Sequence, residues 1–492
     1  MSAFAGYLSG SLYSLFTILL GTVAYLYVSN HALNSVKGPL LARWTRLWIV
    51  RHSRRGDMHR VMIHLHEKYG SLVRTGPNEI SVAEPNVIRT IYGAGTKFRK
   101  SDWYSVWQGR RAFDLFGERN ESIHSAQRRL VSAIYSLESL LDLEPYIDDA
   151  LSFMMSRLVD MEGRVINMNL WAQLFAFDVI GEVTFSKRFG FMDSGQDDGS
   201  FAQIDSALHS ASWVGQVPWI YWVQDWLDPI IGNHLGIRAR HGSLRSFAAK
   251  EVKLRKERGS DRTDILEKLM RVQKEKPEDM NEMAIISMAT SNIFAGSDTT
   301  AISIGAILYF LCQNPTCQKQ VLSEIATVLG SDAPRDTITY ESTRKMKYLQ
   351  ACINEALRLH PAVGMSLPRI VPEGGININN VYIPGGTVIG VNPWVLHRNK
   401  SIFGEDADSF RPERWLSEKR GEFERYFFAF GAGSRICIGK NLSLIEISKL
   451  IPLLLLNFDM ELASAGECVT ENCWWFVKLA GLNMKLKRKF RP

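Results

Sequence analysis

The sequence predicts a mainly α-helical chain with a smaller β region, preceded by one N-terminal transmembrane helix. Three observations carry this. Residues 1–36 contain no Asp, Glu, Lys or Arg, and Phe4 to Val28 supplies the roughly 20 apolar residues that crossing a bilayer takes. Residues 140–280 read as successive amphipathic helices and 281–313 as one long helical pattern. The strand signals are short, led by Ser71–Thr75 and Ile80–Ala83 flanking the turn Gly76-Pro-Asn-Glu79, which reads as a hairpin.

Composition narrows the function. With 492 residues, 46% of them apolar and 22% charged, the chain is an ordinary globular one able to bury a large core. No internal repeat, low-complexity block or linker divides it. The net charge of +7 is a mild excess. Apart from the tail Lys485–Lys489 no block of Lys and Arg appears, which argues against nucleic acid. A basic face suits an acidic protein partner or a membrane surface better. The six cysteines include no C-x-x-C pair, so a zinc ribbon is unsupported and a reducing compartment is the expected setting.

Taken in order, the apolar start is followed by Lys37, Arg43, Arg46, Arg51, Arg54 and Arg55, all before the first acid, Asp57. The positive-inside rule then places the body in the cytoplasm. A cleavable signal peptide is the alternative; the start lacks its charged leader and the apolar run is long. The expected division is an anchor at 1–30 (transmembrane about 4–28), a basic Gly-Pro hinge at 31–55, and one catalytic domain at 56–492. In that orientation the sequons at Asn120, Asn399 and Asn441 are silent. Residues 101–122 hold Trp103, Tyr104, Trp107, Phe113 and Phe116, either facing a ligand or pinning a loop to the core. His124 and Arg128 follow at i, i+4 and share a helix face. Ser212 to Trp226 carries four Trp and one Tyr, which suits an entrance dipping into a bilayer interface or plain packing.

In Ala295-Gly-Ser-Asp-Thr-Thr300, Gly, Asp and paired Thr oppose helix propensity inside an apolar helix. They either bend it by bonding back to its carbonyls or let another helix approach closely. Tyr348–His360 is a helix stopped by Pro361, with Glu355 and Arg358 at i, i+3; alone such a pair means little. Cys468 and Cys473 read as packing residues.

The richest stretch is Phe430-Gly-Ala-Gly-Ser-Arg-Ile-Cys-Ile-Gly439. Gly431, Gly433 and Gly439 let the backbone turn tightly and approach a flat ligand. A thiolate at Cys437 can bind a soft or borderline metal. Arg435 can pair with a carboxylate. Together they read as one face of a haem, iron on sulfur and a propionate on the guanidinium. A lone buried structural Cys is the bland alternative. A dinucleotide loop fails, because Ile436 stands where the third glycine belongs, as does Phe98 in the Gly93-Ala-Gly95 stretch.

This run resembles the haem-binding loop of the cytochrome P-450 family, F-x-x-G-x-R-x-C-x-G, at every defining position. Three further motifs follow that family's order: Ala295–Thr300, Glu355–Arg358 and Phe410-Arg-Pro-Glu-Arg-Trp415, with Trp415 where Phe is usual. The resemblance implies the P-450 fold and heme b on the axial thiolate of Cys437. Phe430 and Gly431 shape the thiolate side, and Arg435, Arg128, His124 (where Trp is common) and Arg369 contact the cofactor. Thr299 would hold the reacting oxygen and Asp298 relay protons, while Glu355, Arg358 and Arg414 form a buried scaffold. It further implies monooxygenation of a bulky, mostly apolar substrate, walled by residues such as Trp107, Phe113, Phe294, Val363 and Trp475. Electrons would come from NADPH-cytochrome P-450 reductase, with cytochrome b5 as a further donor, at the endoplasmic reticulum membrane. Phrases such as Leu367-Pro-Arg-Ile are similar to fungal members of pisatin-demethylase type, found in secondary-metabolite pathways. The rivals are a reductase-independent haem-thiolate isomerase or dehydratase, which typically lacks the acid–alcohol pair, and a non-catalytic membrane haem-binding protein.

Overall fold

The computed structural model describes residues 13–14, 16–17, 20–22, 33–232, 239–259, 261–330, 336–463 and 469–489. The expected transmembrane stretch falls mostly outside the described residues, as does Cys468. The helices that build the site are α1 (Leu47–Arg55), α2 (Met58–Tyr69), α3 (Glu121–Val131), α4 (Glu144–Val159), α5 (Met168–Phe185) and α6 (Ser200–Val214). After them come α7 (Pro218–Ile231), α8 (Ala239–Arg258), α9 (Glu282–Gln313), α10 (Lys347–Leu359) and α11 (Lys440–Asn457). The mainly helical reading with a small β region holds.

The centre is α9 packed on α5. Gly296 sits at their crossing, where a Cβ would stand 2.9 Å from Ile180 Cδ1. That gives the close-packing explanation of the 295–300 motif to Gly296 alone. α5 departs from the expected amphipathic pattern: Trp171, Leu174, Phe175, Phe177 and Val179 are buried around its whole circumference, because helices cover it on every side. α9 is the one described helix long and apolar enough to cross a membrane, and 72% of its most apolar window is buried inside the protein. It is the core helix.

Among the described residues the β region has four sheets. β1 (Leu72–Gly76) and β2 (Glu79–Val82) form the expected hairpin, Leu72 opposite Val82 and Arg74 opposite Ile80. β3 (Val165–Asn167) is followed much later by β4 (Arg369–Ile370), β5 (Ile376–Ile378), β6 (Val381–Ile383) and β7 (Val388–Gly390). The first sheet has the order β1-β2-β7-β4. Asn379 and Asn380, at φ of 50° and 63°, make the two-residue turn between β5 and β6. The C-terminus adds β8 (Phe458–Leu462), β9 (Thr470–Trp474), β10 (Phe476–Ala480) and β11 (Asn483–Arg488), paired as β9–β10 and β3-β11-β8.

Residues 33–55, expected as a hinge, are docked on the body. Leu33, Val36 and Ala42 are buried, and Arg46 pairs with Glu79 at 2.6 Å and with Gln216 Oε1 at 3.0 Å. Two of the three sequons are helix caps. Asn120 Oδ1 accepts from Ser122 N and Ile123 N, and Asn399 Oδ1 accepts from Ser401 N.

Glu355 is the hub of a closed network at 0% exposure. Its carboxylate accepts from Arg358 Nε and Nη2 (both 2.8 Å), Arg414 Nε (2.8 Å), Arg411 N (2.9 Å) and Trp415 Nε1 (2.9 Å). The departure at Trp415 has a function, because Phe would supply no donor. Remaining guanidinium N–H groups reach the carbonyls of His397, Ala407 and Phe403. Burial alone would push the Glu355 carboxyl up; Arg358 and Arg414 outweigh it and hold it below its ordinary range.

Candidate functional site: a thiol and a basic cluster

The 430–439 loop is shaped by two left-handed glycines, Gly431 at φ 72° and Gly433 at φ 61°. Gly433 also lies against the backbone of Tyr92 and Gly93, where a Cβ would clash. Cys437 N donates to Phe430 O at 2.8 Å, folding the loop around the sulfur. The thiol stands just before the first turn of α11, where the Gly439 and Lys440 N–H groups point at Sγ. Burial pushes its pKa up; those N–H groups and Arg128 push the other way. Protein surrounds Cys437, yet its side chain is accessible, so it lines an interior slot.

The facing wall is the middle of α9. Ala295 is exposed and Thr299 half-buried on a helix otherwise largely inside the core. Thr300 Oγ1 donates to Ser443 Oγ at 3.1 Å, tying α9 to α11 beyond the sulfur. Thr299 Oγ1 bonds back to Ala295 O at 2.7 Å, as its place in the helix predicts. Asp298 is 1% exposed and turns aside: Oδ1 accepts from Gln173 Nε2 at 2.6 Å and Oδ2 lies 2.9 Å from Lys478 Nζ.

The predicted cofactor contacts converge. Arg435 reaches Glu121 at 2.8 Å and the carbonyl of Glu118. Arg369 is buried, donates to Tyr104 Oη at 3.2 Å and lies over the Tyr92 ring. Arg128 is half-buried one turn from His124. His124 is buried, not a surface residue, and its Nδ1 has no hydrogen-bond partner among the described residues. Burial, then Arg435, Lys100, Arg128 and Arg369, bring its pKa down to about 3.

Lys100 was not among the predicted residues. It is 4% exposed, donates to Phe116 O at 2.5 Å and lies 4.2 Å over the Tyr104 ring. Burial, then Arg369 and Arg435, drive its pKa well below the ordinary ammonium range. Its only sequence signal is a place beside the aromatic run at 103–116. Of Lys100, His124, Arg128, Arg369 and Arg435, only Arg435 is ion-paired with a carboxylate among the described residues. A buried cationic group without a counter-charge is costly. The cluster therefore calls for anionic groups, and the two propionates of a haem meet that need while its iron meets the sulfur. The donor set fits heme b.

Above the slot stands an aromatic roof. Trp475 is the single residue between β9 and β10, at φ 81°. Its ring centroid lies 4.4 Å from Trp103, 5.8 Å from Phe116 and 6.1 Å from Trp107, which in turn lies 6.4 Å from Phe294. The pinning reading of 101–122 holds: Trp103, Tyr104, Trp107 and Phe113 are buried and hold the segment on the core. A cavity of about 250 Å³ opens beside the roof, lined among others by Arg46, Glu79, Trp103, Gln216 and Met365. In the Trp-rich segment Tyr221 is buried, while Trp219 and Trp226 are 65% and 76% exposed.

The family model described as Cytochrome P450 matches residues 37–488. The chain is 38% identical to the cytochrome P450 monooxygenase hepC of Aspergillus oryzae, over 91% of this chain and 92% of that one. It is 36% identical to the cytochrome P450 monooxygenase cicH of Emericella nidulans, over 96% and 98%. It is also 36% identical to a pisatin demethylase of Fusarium vanettenii, over 92% and 89%.

Proposed function

The chain belongs to the cytochrome P450 family, binds heme b through a cysteine thiolate and is a monooxygenase; on that premise we propose that Cys437 is the thiolate and that one oxygen atom of O2 is inserted into a bulky, mostly apolar organic molecule. The observation that carries the reading is the pairing of an accessible thiol at the start of α11 with a cluster of five basic side chains of which only Arg435 is ion-paired with a carboxylate among the described residues. When bound, the haem supplies oxygen binding and reductive O–O cleavage, favoured by thiolate donation.

The chain's own residues do the rest. The Gly439 and Lys440 N–H groups stabilise negative charge on Sγ and aim it. Lys100, His124, Arg128, Arg369 and Arg435 would hold the propionates. Thr299 presents its hydroxyl at the slot, and Asp298 moves protons toward it. Trp103, Trp107, Phe116, Phe294 and Trp475 exclude water and orient the substrate by apolar contact.

Electrons come from an NADPH-dependent reductase, with cytochrome b5 as a second donor. The setting is the endoplasmic reticulum membrane, with the catalytic body cytoplasmic. Exposed Leu40, Leu41, Leu47, Trp219, Trp226 and Ile230 support a face seated on that membrane. The fungal relatives support a role in secondary-metabolite biosynthesis.

The test is the visible spectrum of the reduced, carbon-monoxide-bound protein. A red-shifted Soret band, lost in Cys437→Ser, is the expected result. A histidine-type band in the wild type would overturn the ligand assignment. Substrate-dependent NADPH oxidation with added reductase separates a monooxygenase from a reductase-independent isomerase.

A further inference from the structure

The cavity beside the aromatic roof has two unmet donors in its wall. Ser101 precedes a short helical turn, Asp102–Tyr104, at the position where a serine hydroxyl ordinarily caps the turn, yet its side chain makes no cap bond. Ser101 is 3% exposed and its Oγ has no hydrogen-bond partner among the described residues. Two residues on, Trp103 is 5% exposed, and its indole Nε1 has no partner among them either. Both residues line the cavity. The indole N–H edge faces Gly215, itself in the cavity wall, where a Cβ would stand 2.6 Å from Nε1. Buried hydroxyl and indole N–H groups are normally paired, and leaving one unpaired is costly. The charged groups of the same lining are already served, Arg46 by Glu79 and Asp102 by Arg119. Much of the rest is apolar and pliable, led by Met58, Met62 and Met365.

We propose that this cavity is a subsite for a neutral carbonyl group of the substrate, a ketone, ester or lactone, held by the Ser101 hydroxyl and the Trp103 N–H. A carbonyl oxygen accepts two hydrogen bonds and needs no counter-charge. A carboxylate would be buried without one, because Arg46 is held by Glu79. A hydrocarbon would fill the methionine-lined space and leave both donors unmet. At about 250 Å³ the cavity is smaller than the roughly 300–1,000 Å³ of a whole ligand site, so it takes one end of the molecule. Trp103 belongs to cavity and roof alike, its ring 4.4 Å from Trp475, so a molecule anchored here directs its remaining bulk toward the roof. The inference rests on the reading of the chain as a monooxygenase of a bulky, mostly apolar molecule, and adds a carbonyl to that molecule.

The test weighs two probes of one shape, fluorenone and fluorene, which differ by a carbonyl oxygen. Their dissociation constants for the haem-loaded full chain are measured by equilibrium dialysis against a protein-free blank. Fluorenone should bind more tightly by about 5- to 100-fold, the effect of two hydrogen bonds. Ser101→Ala and Trp103→Phe should each cut that ratio by roughly 2- to 10-fold, and the double variant should bring it close to unity. Because the ratio is read, loosened packing that weakens both probes alike cancels. Ser101→Ala carries the test alone if Trp103→Phe fails to load haem. Equal affinities in the wild type would mean that water serves these donors, and would overturn the inference. A fluorenone preference that survives both substitutions would overturn it too, as would no measurable binding of either probe. Dialysis does not depend on the iron ligand. A histidine-type carbon-monoxide band would therefore remove the assignment of Cys437 and leave the subsite standing.

Discussion

The protein buries two clusters of charge, and they are opposites. Around Glu355 every strong donor and acceptor has a partner, and one carboxylate collects two guanidiniums, an indole and a backbone N–H. Around Lys100 five basic groups meet, and among the described residues only Arg435 has an ion-paired carboxylate, Glu121. Burial penalises both sets, so satisfaction separates them. A network closed on itself is scaffold, whereas one left open marks where something else must bind. Burial or charge taken alone would have classed the two together.

The difference can be broken from either side. The largest effect is expected from Arg358→Met, which leaves Glu355 short of its bidentate partner. It should cost about 3–5 kcal/mol, read as a lower denaturant midpoint, and haem-loaded protein should fail to accumulate. Lys100→Met should act the other way on the haem-free chain, leaving its stability unchanged or raised, because an uncompensated buried amine is gone. The same variant should weaken haem retention by roughly 1.5–3 kcal/mol, the worth of a hydrogen bond to a charged group, measured by haem transfer to an acceptor protein. Equal losses in both forms would make Lys100 a packing residue. Trp415→Phe, which restores the family's usual side chain, should cost about 1.5 kcal/mol from the lost indole bond to Glu355, in haem-free and loaded forms alike.

A further effect is one of pH. His124 titrates at about 3 in the folded chain, against 6.5 when unfolded. Folding therefore releases its proton, so this residue's contribution is complete above pH 6.5 and is lost as pH falls toward 3. Haem-free protein should lose stability across that window, and His124→Gln should lose less. A parallel decline in the two proteins would show that His124 does not feel the cluster.

Much of this was legible in the sequence, because the motifs are local. The 430–439 loop, the α9 centre and the Glu355–Arg358 spacing each place their chemistry within one turn or one helix face. The cation cluster was legible only in part: Arg128, Arg369 and Arg435 carry motif signatures. Lys100 acquires its meaning only when segments near 100, 124, 369 and 435 meet. Asp205 and Lys478, ion-paired beside Asp298, were invisible for the same reason, standing 273 residues apart on α6 and β10. The all-round burial of α5 also escaped the pattern, because its polar residues Gln173 and Asp178 mimic a wet face. Asp178 is in truth buried and accepts from the backbone N–H groups of Gly190, Phe191 and Met192.

Trp475, at φ 81°, holds a conformation that non-glycine residues take at a cost of about 1–3 kcal/mol. Replacing it with a smaller residue would empty part of the roof, while glycine would also release the backbone. Few sites allow a pocket to be enlarged and the fold relaxed by one substitution. For an enzyme lineage that diversifies its substrates, glycine here would offset with about 1–3 kcal/mol of released strain part of the roughly 3–5 kcal/mol that emptying a buried Trp site costs.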